Sequence, residues 1–425
     1  MKIIIHGKQY NLEGFNHPGG NEILKLCENE PDSTALFESY HTFCDKNKIN
    51  GMMKKYEILD SSCNEMFSLE PSGFYATLQS RVVAHFENKL GRKIRREDVK
   101  ANFDWLNTVF WIWALFLFSQ YQLLFGTNWI VRSVFSLTSG VLLTGLGFNV
   151  LHDASHYAVS KNPKINQLLS SLHQGLQMWN QILWAYHHCI RHHQYTGNIE
   201  YDPDMRHLMP FIRKTTKTPK KPSTFLRSNL IFKLLSITII FPGSLFGQGL
   251  QYHLTWLKNG YLWKMKVPTA FNVYDQLGQY LISVAFFSTM FWFGGRYALL
   301  HIIGTNLTYF IGLAPDHDLF PTHMEIEKFG VMKTMDWGET QVRGSANFCN
   351  SSLLFTKFMG GINLQIEHHL FPSMCNHYLH EISPIVEKTC KEFNIPYNHI
   401  NNPKDVFDQL FKTYFDVFDN DKKHD

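Results

Sequence analysis

The sequence predicts a mainly α-helical protein, in which a small α+β domain precedes a polytopic α-helical membrane domain with a histidine-rich cap. Three observations support this fold class. Residues 1–60 contain no apolar run long enough to cross a bilayer, whereas several stretches after residue 104 do. Charged residues make up 18% of the 425 residues, below the roughly 25% of soluble domains. Histidines also cluster close to the ends of the apolar stretches.

Charge and cysteine content argue against a nucleic-acid-binding protein and against a fold stabilised by disulfides or by thiolate-bound zinc. The net charge of +4 is spread along the chain, and we expect no nucleic-acid partner. The seven cysteines form no CxxC pair and show no regular spacing, so neither a disulfide framework nor a thiolate zinc site is predicted.

The first predicted domain, residues 1–60, carries two histidines beside aromatic residues. His17 lies in FNHPGG and His41 lies in FESYHTF. Two histidines on opposite walls of an apolar cleft can bind a haem iron from both faces, and such a haem transfers electrons because it has no open site for oxygen. The HPGG motif and the later histidine resemble the cytochrome b5 domain. That resemblance implies haem b held by His17 and His41.

The remaining chain is expected to form a linker with an amphipathic approach helix at 61–104 and a membrane domain at 105–425. Two helical hairpins are predicted from four apolar stretches, at about 107–126, 129–151, 278–293 and 297–315. The second hairpin lies between the earlier histidines and those near 368, so it keeps both groups on one side of the membrane. A further apolar stretch, 228–250, contains a lysine, a proline and three glycines and is assigned to the membrane interface.

Three histidine motifs follow the apolar stretches. They are HDASH with His152 and His156, HCIRHH with His188, His192 and His193, and QIEHH with Gln365, His368 and His369. Histidines four positions apart share one face of a helix, so both can reach one ion. In the second motif His188 and His192 repeat this step. His193 is turned by about 100° from its neighbour, which suits a second ion or the other side of the same ion.

Taken together, the motifs resemble the three histidine boxes of membrane fatty-acid desaturases of the cytochrome b5 fusion, or front-end, class. The resemblance covers nearly the whole chain, and glutamine at the start of the third box is the mark of that class. The spacing in HCIRHH and the sequence HHQYTGNIEYDPD resemble its delta-5 branch. The resemblance implies two non-haem iron ions with Gln365 close by and these ligands: His152, His156, His188, His192, His193, His368 and His369.

Further roles are predicted for other histidines and for carboxylates near the motifs. The family also uses a histidine after its last span, and His317 is the matching residue, with His301 and His323 as neighbouring alternatives. His187 does not fit the box and is expected to be an interfacial residue or to lie behind the ligands. Five carboxylates could orient ligand imidazoles through their free N–H groups: Asp153, Asp202, Asp204, Asp316 and Glu367.

The resemblance implies that the protein inserts a cis double bond into an acyl chain, of delta-5 or delta-6 type, in polyunsaturated fatty acid biosynthesis. No side-chain base can deprotonate an unactivated methylene, so an oxidised iron–oxygen species is needed. The expected partners are O2, a membrane lipid or acyl-CoA, and an NAD(P)H-dependent cytochrome b5 reductase. We expect residence in the endoplasmic reticulum membrane, with the haem domain and the histidine boxes facing the cytosol.

Three alternatives stay open at the level of sequence. The protein could be a sphingolipid delta-8 desaturase or a lipid hydroxylase built on the same metal site. It could also be a membrane-anchored haem electron carrier whose histidines bind structural zinc, because imidazole accommodates iron, zinc and copper alike. An electron-carrying haem favours a redox metal, since zinc cannot use electrons.

Overall fold

The computed structural model describes residues 1–28, 30–59, 63–177, 180–205, 215, 261–262, 265–266, 273–329 and 335–413. Within these ranges the protein is mostly helical, and its strands form short pairs. This confirms the predicted mainly α-helical class with a small α+β portion at the N-terminus. The stretch 228–250, predicted to lie at the membrane interface, falls outside the described residues.

The N-terminal region, residues 1–59, begins with an antiparallel hairpin of β1 (Lys2–Ile5) and β2 (Lys8–Asn11). His6 and Gly7 form its turn with φ of 50° and 67°, the positive values that a two-residue hairpin turn favours. Alternate residues of β1 point into the core. Three short helices follow: α1 (Asn21–Cys27), α2 (Thr34–Tyr40) and α3 (Lys46–Met53).

The next helix, α4 (Phe74–Leu90), ends at Gly91, whose φ of 65° is typical of a helix C-terminus. Its apolar face, which includes Leu78 and Val82, packs in one core with Ile366 and Ile382 of the C-terminal region. A 3-10 turn, Arg96–Val99, then leads to the first span. The predicted approach helix therefore buries its apolar face against protein.

Four helices occupy the predicted spans. They are α5 (Phe103–Phe125), α6 (Trp129–Leu146), and, later in the chain, α9 (Val273–Gly294) and α10 (Tyr297–Asp318). Among the described residues, three helical runs are long and apolar enough to cross a membrane: Arg96–Phe125, Trp129–Ser155 and Tyr297–Lys328. The predicted span 278–293 lies within the 22 residues of α9. Many apolar side chains on these helices are exposed, as expected of a surface that faces lipid.

Helices α6 and α10 touch through their backbones. A Cβ atom at Gly140 would overlap the carbonyl oxygen of His301, and one at Gly304 would overlap that of Leu137. Small residues at such a crossing let membrane helices approach closely, because lipid provides no hydrophobic drive for their association. The two glycines therefore fix the crossing of the two helices that lead to the histidines.

Between the hairpins lie α7 (Pro163–Leu176) and α8 (Gln181–Trp184). A 3-10 turn, Pro203–Met205, and a strand pair, β3 (Tyr261–Leu262) with β4 (Met265–Lys266), come next. After α10 the C-terminal cap, residues 320–413, contains α11 (Phe320–Phe329), α12 (Trp337–Arg343), β5 (Asn347–Phe348), α13 (Leu353–Phe358), α14 (Gln365–Leu370), a 3-10 turn (Asn376–Tyr378), α15 (Leu379–Glu392), β6 (His399–Ile400) and α16 (Pro403–Phe411). Strands β5 and β6 pair in parallel.

The N-terminal region packs directly on the segment that follows α8. Leu26 and Leu36 share a hydrophobic core with Tyr186 and Ile190. Beside this core, Glu30 forms an ion pair with Arg191 at 2.8 Å, and the two side chains are 0% and 4% exposed. A continuous core and a buried ion pair therefore hold this region against the second histidine motif.

Candidate metal centre and haem cavity

Two of the histidine motifs lie on π-helical segments. Helix α6 continues as Gly147–His152, which is π-helical, and then as the turn Asp153–Ser155. Helix α8 continues in the same way as the π-helical Ala185–His192 and the turn His193–Tyr195. A π-helix closes its hydrogen bonds from i to i+5 and is frequent at functional sites, because the wider turn redirects side chains.

The first histidine group gathers five imidazoles from all three motifs: His152, His156, His188, His193 and His368. One nitrogen of each lies within 4.8 Å of the others, and all five residues are buried. The closest contacts join Nε2 of His188 to Nε2 of His152 at 3.0 Å and to Nε2 of His193 at 3.3 Å. Nε2 of His368 lies 3.1 Å from Nε2 of His193.

The second histidine group contains His192, His317 and His369, again with one nitrogen each within 4.8 Å. Nε2 of His192 and Nε2 of His317 are 3.1 Å apart. The side-chain nitrogen of Gln365 lies 3.0 Å from Nε2 of His317 and 3.1 Å from Nε2 of His369. The rings of His193 and His369 stack at 4.2 Å, so the two groups lie side by side.

Hydrogen bonds to the far side of the rings fix the protons in the second group. Nδ1 of His317 donates to the carbonyl oxygen of Gly344 at 2.7 Å, and Nδ1 of His192 donates to the carboxylate of Asp202 at 3.0 Å. In a neutral imidazole the proton on Nδ1 leaves Nε2 as a lone pair. Two such lone pairs face each other here. Nitrogens bound at right angles to one ion at about 2.1 Å would be about 3 Å apart, so this donor set fits a metal ion.

Burial keeps the imidazoles neutral, which metal binding requires. The pKa values of His156, His188, His193, His368 and His369 all lie well below the usual range, chiefly because burial disfavours the charged form and secondly because neighbouring imidazolium charges would repel. The site therefore presents lone pairs at neutral pH.

The second motif differs from the sequence-based expectation. His188 and His192 were expected to share a face, with His193 turned away. Instead His188 and His193 belong to the first group, and His192 belongs to the second. The physical reason is the π-helical backbone of Ala185–His192, whose i to i+5 hydrogen bonds widen the turn and bring His193 toward the side of His188. The rings of His188 and His192 still stack, with centres 5.4 Å apart, but Nε2 of His192 lies 3.1 Å from Nε2 of His317.

The remaining predicted residues fall outside the two groups. His187 bonds to Asp204 at 2.6 Å, and the other carboxylate oxygen of Asp204 lies 3.3 Å from Nδ1 of His192. His187 therefore lies behind a predicted ligand, as expected. The two alternatives to His317 are engaged elsewhere, since His301 contacts Ser139 and His323 contacts Asp318.

Only two of the five predicted orienting carboxylates contact an imidazole of the two groups in the contacts described. Asp202 and Asp204 contact His192. Asp153 instead accepts from the backbone N–H of Asn376. Glu367 accepts from Asn347 and Tyr397, and the backbone of Asp316 pairs with Ala346.

Three contacts of the clustered imidazoles were not predicted from the sequence. The indole of Trp184 stacks on His188, with ring centres 4.5 Å apart and an angle of 17°. The side-chain amide of Gln341 lies 2.9 Å from Nδ1 of His369. The hydroxyl of Tyr40 lies 2.7 Å from Nδ1 of His156. Trp184 stands one turn before His188, which is a signal in the sequence, but the other two contacts join residues that are far apart in the chain.

His17 and His41 face each other across a cavity of about 970 Å³. Their ring centres are 6.0 Å apart, which leaves room for one iron at about 2 Å from a nitrogen of each ring. Nδ1 of His41 donates to the carbonyl oxygen of Phe37 at 2.7 Å, so its Nε2 is a free lone pair. Burial lowers the pKa of His17 to about 4 and also lowers that of His41, so both rings are neutral.

The two glycines of the HPGG motif are required for different structural reasons. A Cβ atom at Gly19 would lie 2.8 Å from Cε1 of the His17 ring, so a side chain there would displace that ring. Gly20 has a φ of 99°, which side chains disfavour. The cavity lining also includes residues from beyond the N-terminal region, among them the basic residues Lys93, Arg95 and Arg96. An apolar cleft with two neutral imidazoles and a cationic edge fits haem, whose carboxylates need such partners.

Comparison with known proteins identifies both portions. Residues 1–60 match the cytochrome b5-like heme/steroid binding domain, and residues 127–401 match the fatty acid desaturase family. The chain belongs to the fatty acid desaturase family. This desaturase thus combines the two domain types that its sequence resembled, and it is an oxidoreductase with a haem-type domain at its N-terminus.

Several curated relatives are similar to this desaturase along nearly their whole length. The acyl-lipid (8-3)-desaturase of Mortierella alpina is 26% identical over 97% of this chain and 92% of its own. The acyl-lipid (8-3)-desaturase B of Dictyostelium discoideum is 28% identical over 97% and 89%. The Delta(8)-fatty-acid desaturase 1 of Arabidopsis thaliana is 26% identical over 94% and 86%.

Proposed function

We propose that this desaturase inserts a cis double bond into the chain of an acyl lipid by front-end desaturation. The observation that carries the proposal is the meeting of eight histidines, seven of them buried and His317 half-buried, in two groups at the ends of apolar helices, next to a haem cavity. Oxidation of an unactivated methylene needs a redox metal, electrons and O2, because side-chain bases cannot perform it. The two portions of the chain supply sites for the first two.

We assign two non-haem iron ions to the two histidine groups. The ligands are His152, His156, His188, His193 and His368 for one ion, and His192, His317 and His369 for the other. Gln365 lies at the second group, where its amide contacts two of the rings. Iron, when bound, supplies the activation of O2. The protein holds the imidazoles neutral, orients them through residues such as Asp202, and keeps water away by burying them.

The haem domain is proposed to deliver electrons within the chain. Haem b would be held by His17 and His41, and an NAD(P)H-dependent cytochrome b5 reductase would reduce it. The substrate would be a membrane lipid or an acyl-CoA, whose chain enters among the apolar helices. Two further relatives, from Dictyostelium discoideum, are named as Delta(5) fatty acid desaturases, which supports a double bond of the delta-5 type, with delta-6 as the neighbouring choice. We place the protein in the endoplasmic reticulum membrane, with both metal sites at the cytosolic face.

Expression in yeast tests the proposed function. Cells that produce the chain are fed a panel of unsaturated fatty acids, and the lipids are analysed by mass spectrometry. We expect a product that has lost two hydrogens, with the new double bond between an existing one and the carboxyl end. A product that has gained one oxygen would identify a hydroxylase, and a new double bond confined to sphingoid bases would identify a sphingolipid desaturase.

Metal analysis of the purified protein completes this test. We expect iron in excess of haem, and haem that NADH reduces when the reductase is added. Zinc in place of the non-haem iron, together with unchanged lipids in the fed cells, would instead identify a membrane-anchored electron carrier.

A further inference from the structure

Tyr40 connects the haem cavity to the metal centre. It is the last residue of α2, and its neighbour His41 lines the haem cavity. The Tyr40 hydroxyl lies 2.7 Å from Nδ1 of His156, and the two rings stack at 25° with centres 6.2 Å apart. Adjacent residues of one chain therefore contact both sites.

The contact determines how His156 can bind an ion. His156 is 0% exposed, and it belongs to the first histidine group. With Nδ1 bonded to the phenol, Nε2, which also lies 4.0 Å from Sγ of Cys189, is the nitrogen that remains for an ion. In neutral imidazole the Nδ1 proton is then donated to the Tyr40 oxygen, so the hydrogen bond fixes both the tautomer and the plane of the ring.

The two portions are held so that this contact persists. Leu36, one turn before Tyr40, packs in the core shared with Ile190. The buried pair of Glu30 and Arg191 anchors the same interface beside the second motif. A hydrogen bond between separately moving domains would be intermittent, whereas this one lies beside a continuous core.

We propose that Tyr40 is a positioning residue that couples the haem to the metal centre through His156. The inference rests on the proposed function, since it requires the haem to be the electron donor of the metal centre. In each transfer the haem, when bound, would lose one electron and the metal centre would gain it. Tyr40 itself is neither oxidised nor reduced. From His41 the path follows one peptide bond, the Tyr40 side chain and one hydrogen bond to His156.

The test is the rate at which reduced haem is reoxidised in full-length protein with and without Tyr40→Phe. The haem is reduced anaerobically and then mixed with O2 and with an acyl substrate that the wild-type protein accepts, and the haem absorbance is followed by stopped flow. Phenylalanine keeps the ring but removes the hydroxyl. We expect substrate-dependent reoxidation to slow by about 10-fold to 100-fold, the usual effect of removing a residue that orients a metal ligand.

Tyr56→Phe is the matched control, because it removes one hydroxyl from the same region, where Tyr56 packs edge-on against Phe15. Haem content, non-haem iron content and haem midpoint potential are measured for both variants. Equal values in the two variants, with slow reoxidation in Tyr40→Phe alone, support the coupling role. Unchanged reoxidation in Tyr40→Phe overturns it.

Two further outcomes also decide the question. A slowing that scales with loss of non-haem iron overturns the coupling role, because Tyr40 would then act only to retain the metal. If reduced haem in the wild-type protein is not reoxidised faster with substrate, the proposed function fails, and the inference fails with it. Failure of the proposed function can therefore be distinguished from failure of the coupling role of Tyr40.

Discussion

The two histidine sites differ in the space between their imidazoles. The ring centres of His17 and His41 are 6.0 Å apart, beside a cavity of about 970 Å³. In the first histidine group, the ring centres of His152 and His368 are 4.3 Å apart, and the closest Nε2 atoms are 3.0 to 3.3 Å apart. The haem site is shaped for a large planar group that occupies the space between two rings. The metal centre needs only lone pairs that converge on small ions. Imidazole thus serves both sites, and packing around it decides what it binds.

The sites also differ in how the chain builds them, yet each takes a group from the other portion. The predicted haem ligands lie 24 positions apart in one small region, while the metal centre draws on segments from residue 152 to residue 369. Tyr40 comes from the N-terminal region and contacts the metal centre. Arg96 comes from beyond that region and lines the haem cavity. The two sites therefore have different predicted ligands, but each region of the chain contributes a residue that lies beside the other site.

The largest effect should come from removing a ligand of either site. His41→Ala should lose haem and keep non-haem iron, whereas His368→Ala should lose non-haem iron and keep the reduced haem spectrum. Both should abolish the desaturation product, because each removes one part of the same electron path. Absorbance spectra, metal analysis and lipid analysis of the two variants provide the comparison.

His399→Ala is the control, since that exposed ring bonds to Asn350 away from both sites. Retained desaturation in His368→Ala would contradict the ligand assignment. Loss of both metals in either variant would show that the two sites cannot be lost separately.

The next effect should come from the ion pair that joins the two portions. Glu30→Gln leaves the buried guanidinium of Arg191 without its anionic partner, and breaking a buried pair in this way typically costs about 3 to 5 kcal/mol. We expect a clear fall in the temperature at which the N-terminal region detaches or unfolds, followed by haem release on heating. The control is Asp408→Asn, because the pair of Lys404 and Asp408 is exposed and solvent screening leaves it with little effect on stability. Equal midpoints in the two variants would mean that the pair does not hold the interface.

The smallest effect should come from Arg96, because we expect it to act on the haem through its charge. Arg96 lines the cavity, and its charge contributes, after burial, to the lowered pKa values of His17 and His41. Reduction adds one negative charge to the haem, so a nearby cation stabilises the reduced form. Arg96→Ala should lower the haem midpoint potential by tens of millivolts in a redox titration, while haem content stays the same.

Arg92→Ala is the matched variant, because Arg92 forms an exposed pair with Asp98 and is not among the residues that line the cavity. An unchanged potential in Arg96→Ala, or an equal shift in both variants, would contradict a specific role for Arg96.

The sequence predicted the class of both sites because their signals are local. HPGG, the spacing of the histidine motifs and the apolar runs depend on neighbouring residues, and the structure places all three motifs together as expected. It also places His317, which stands apart from the motifs, with His192 and His369.

What the sequence did not predict depends on backbone geometry and on tertiary contacts. An α-helical spacing predicts that His188 and His192 act as one pair, whereas the structure places them in different histidine groups although their rings stack. Contacts such as Tyr40 with His156 and Glu30 with Arg191 join residues more than 100 positions apart. Their partners are determined by how the N-terminal region packs, for which a single sequence carries no periodic signal.

The glycine crossing of α6 and α10 has a consequence for the distant metal centre. From Gly140 to His152, and from Gly304 to His317, each helix extends by roughly a dozen residues, or about 18 to 20 Å at the α-helical rise of 1.5 Å per residue, and somewhat less where Gly147–His152 is π-helical. The crossing lies at nearly the same distance from the histidine-bearing end of each helix. A rotation of one helix against the other by one degree at the crossing would displace that end by about 0.3 Å. A methyl group added at Gly140 or Gly304 would therefore change the distances between the imidazole nitrogens at the far ends of the two helices.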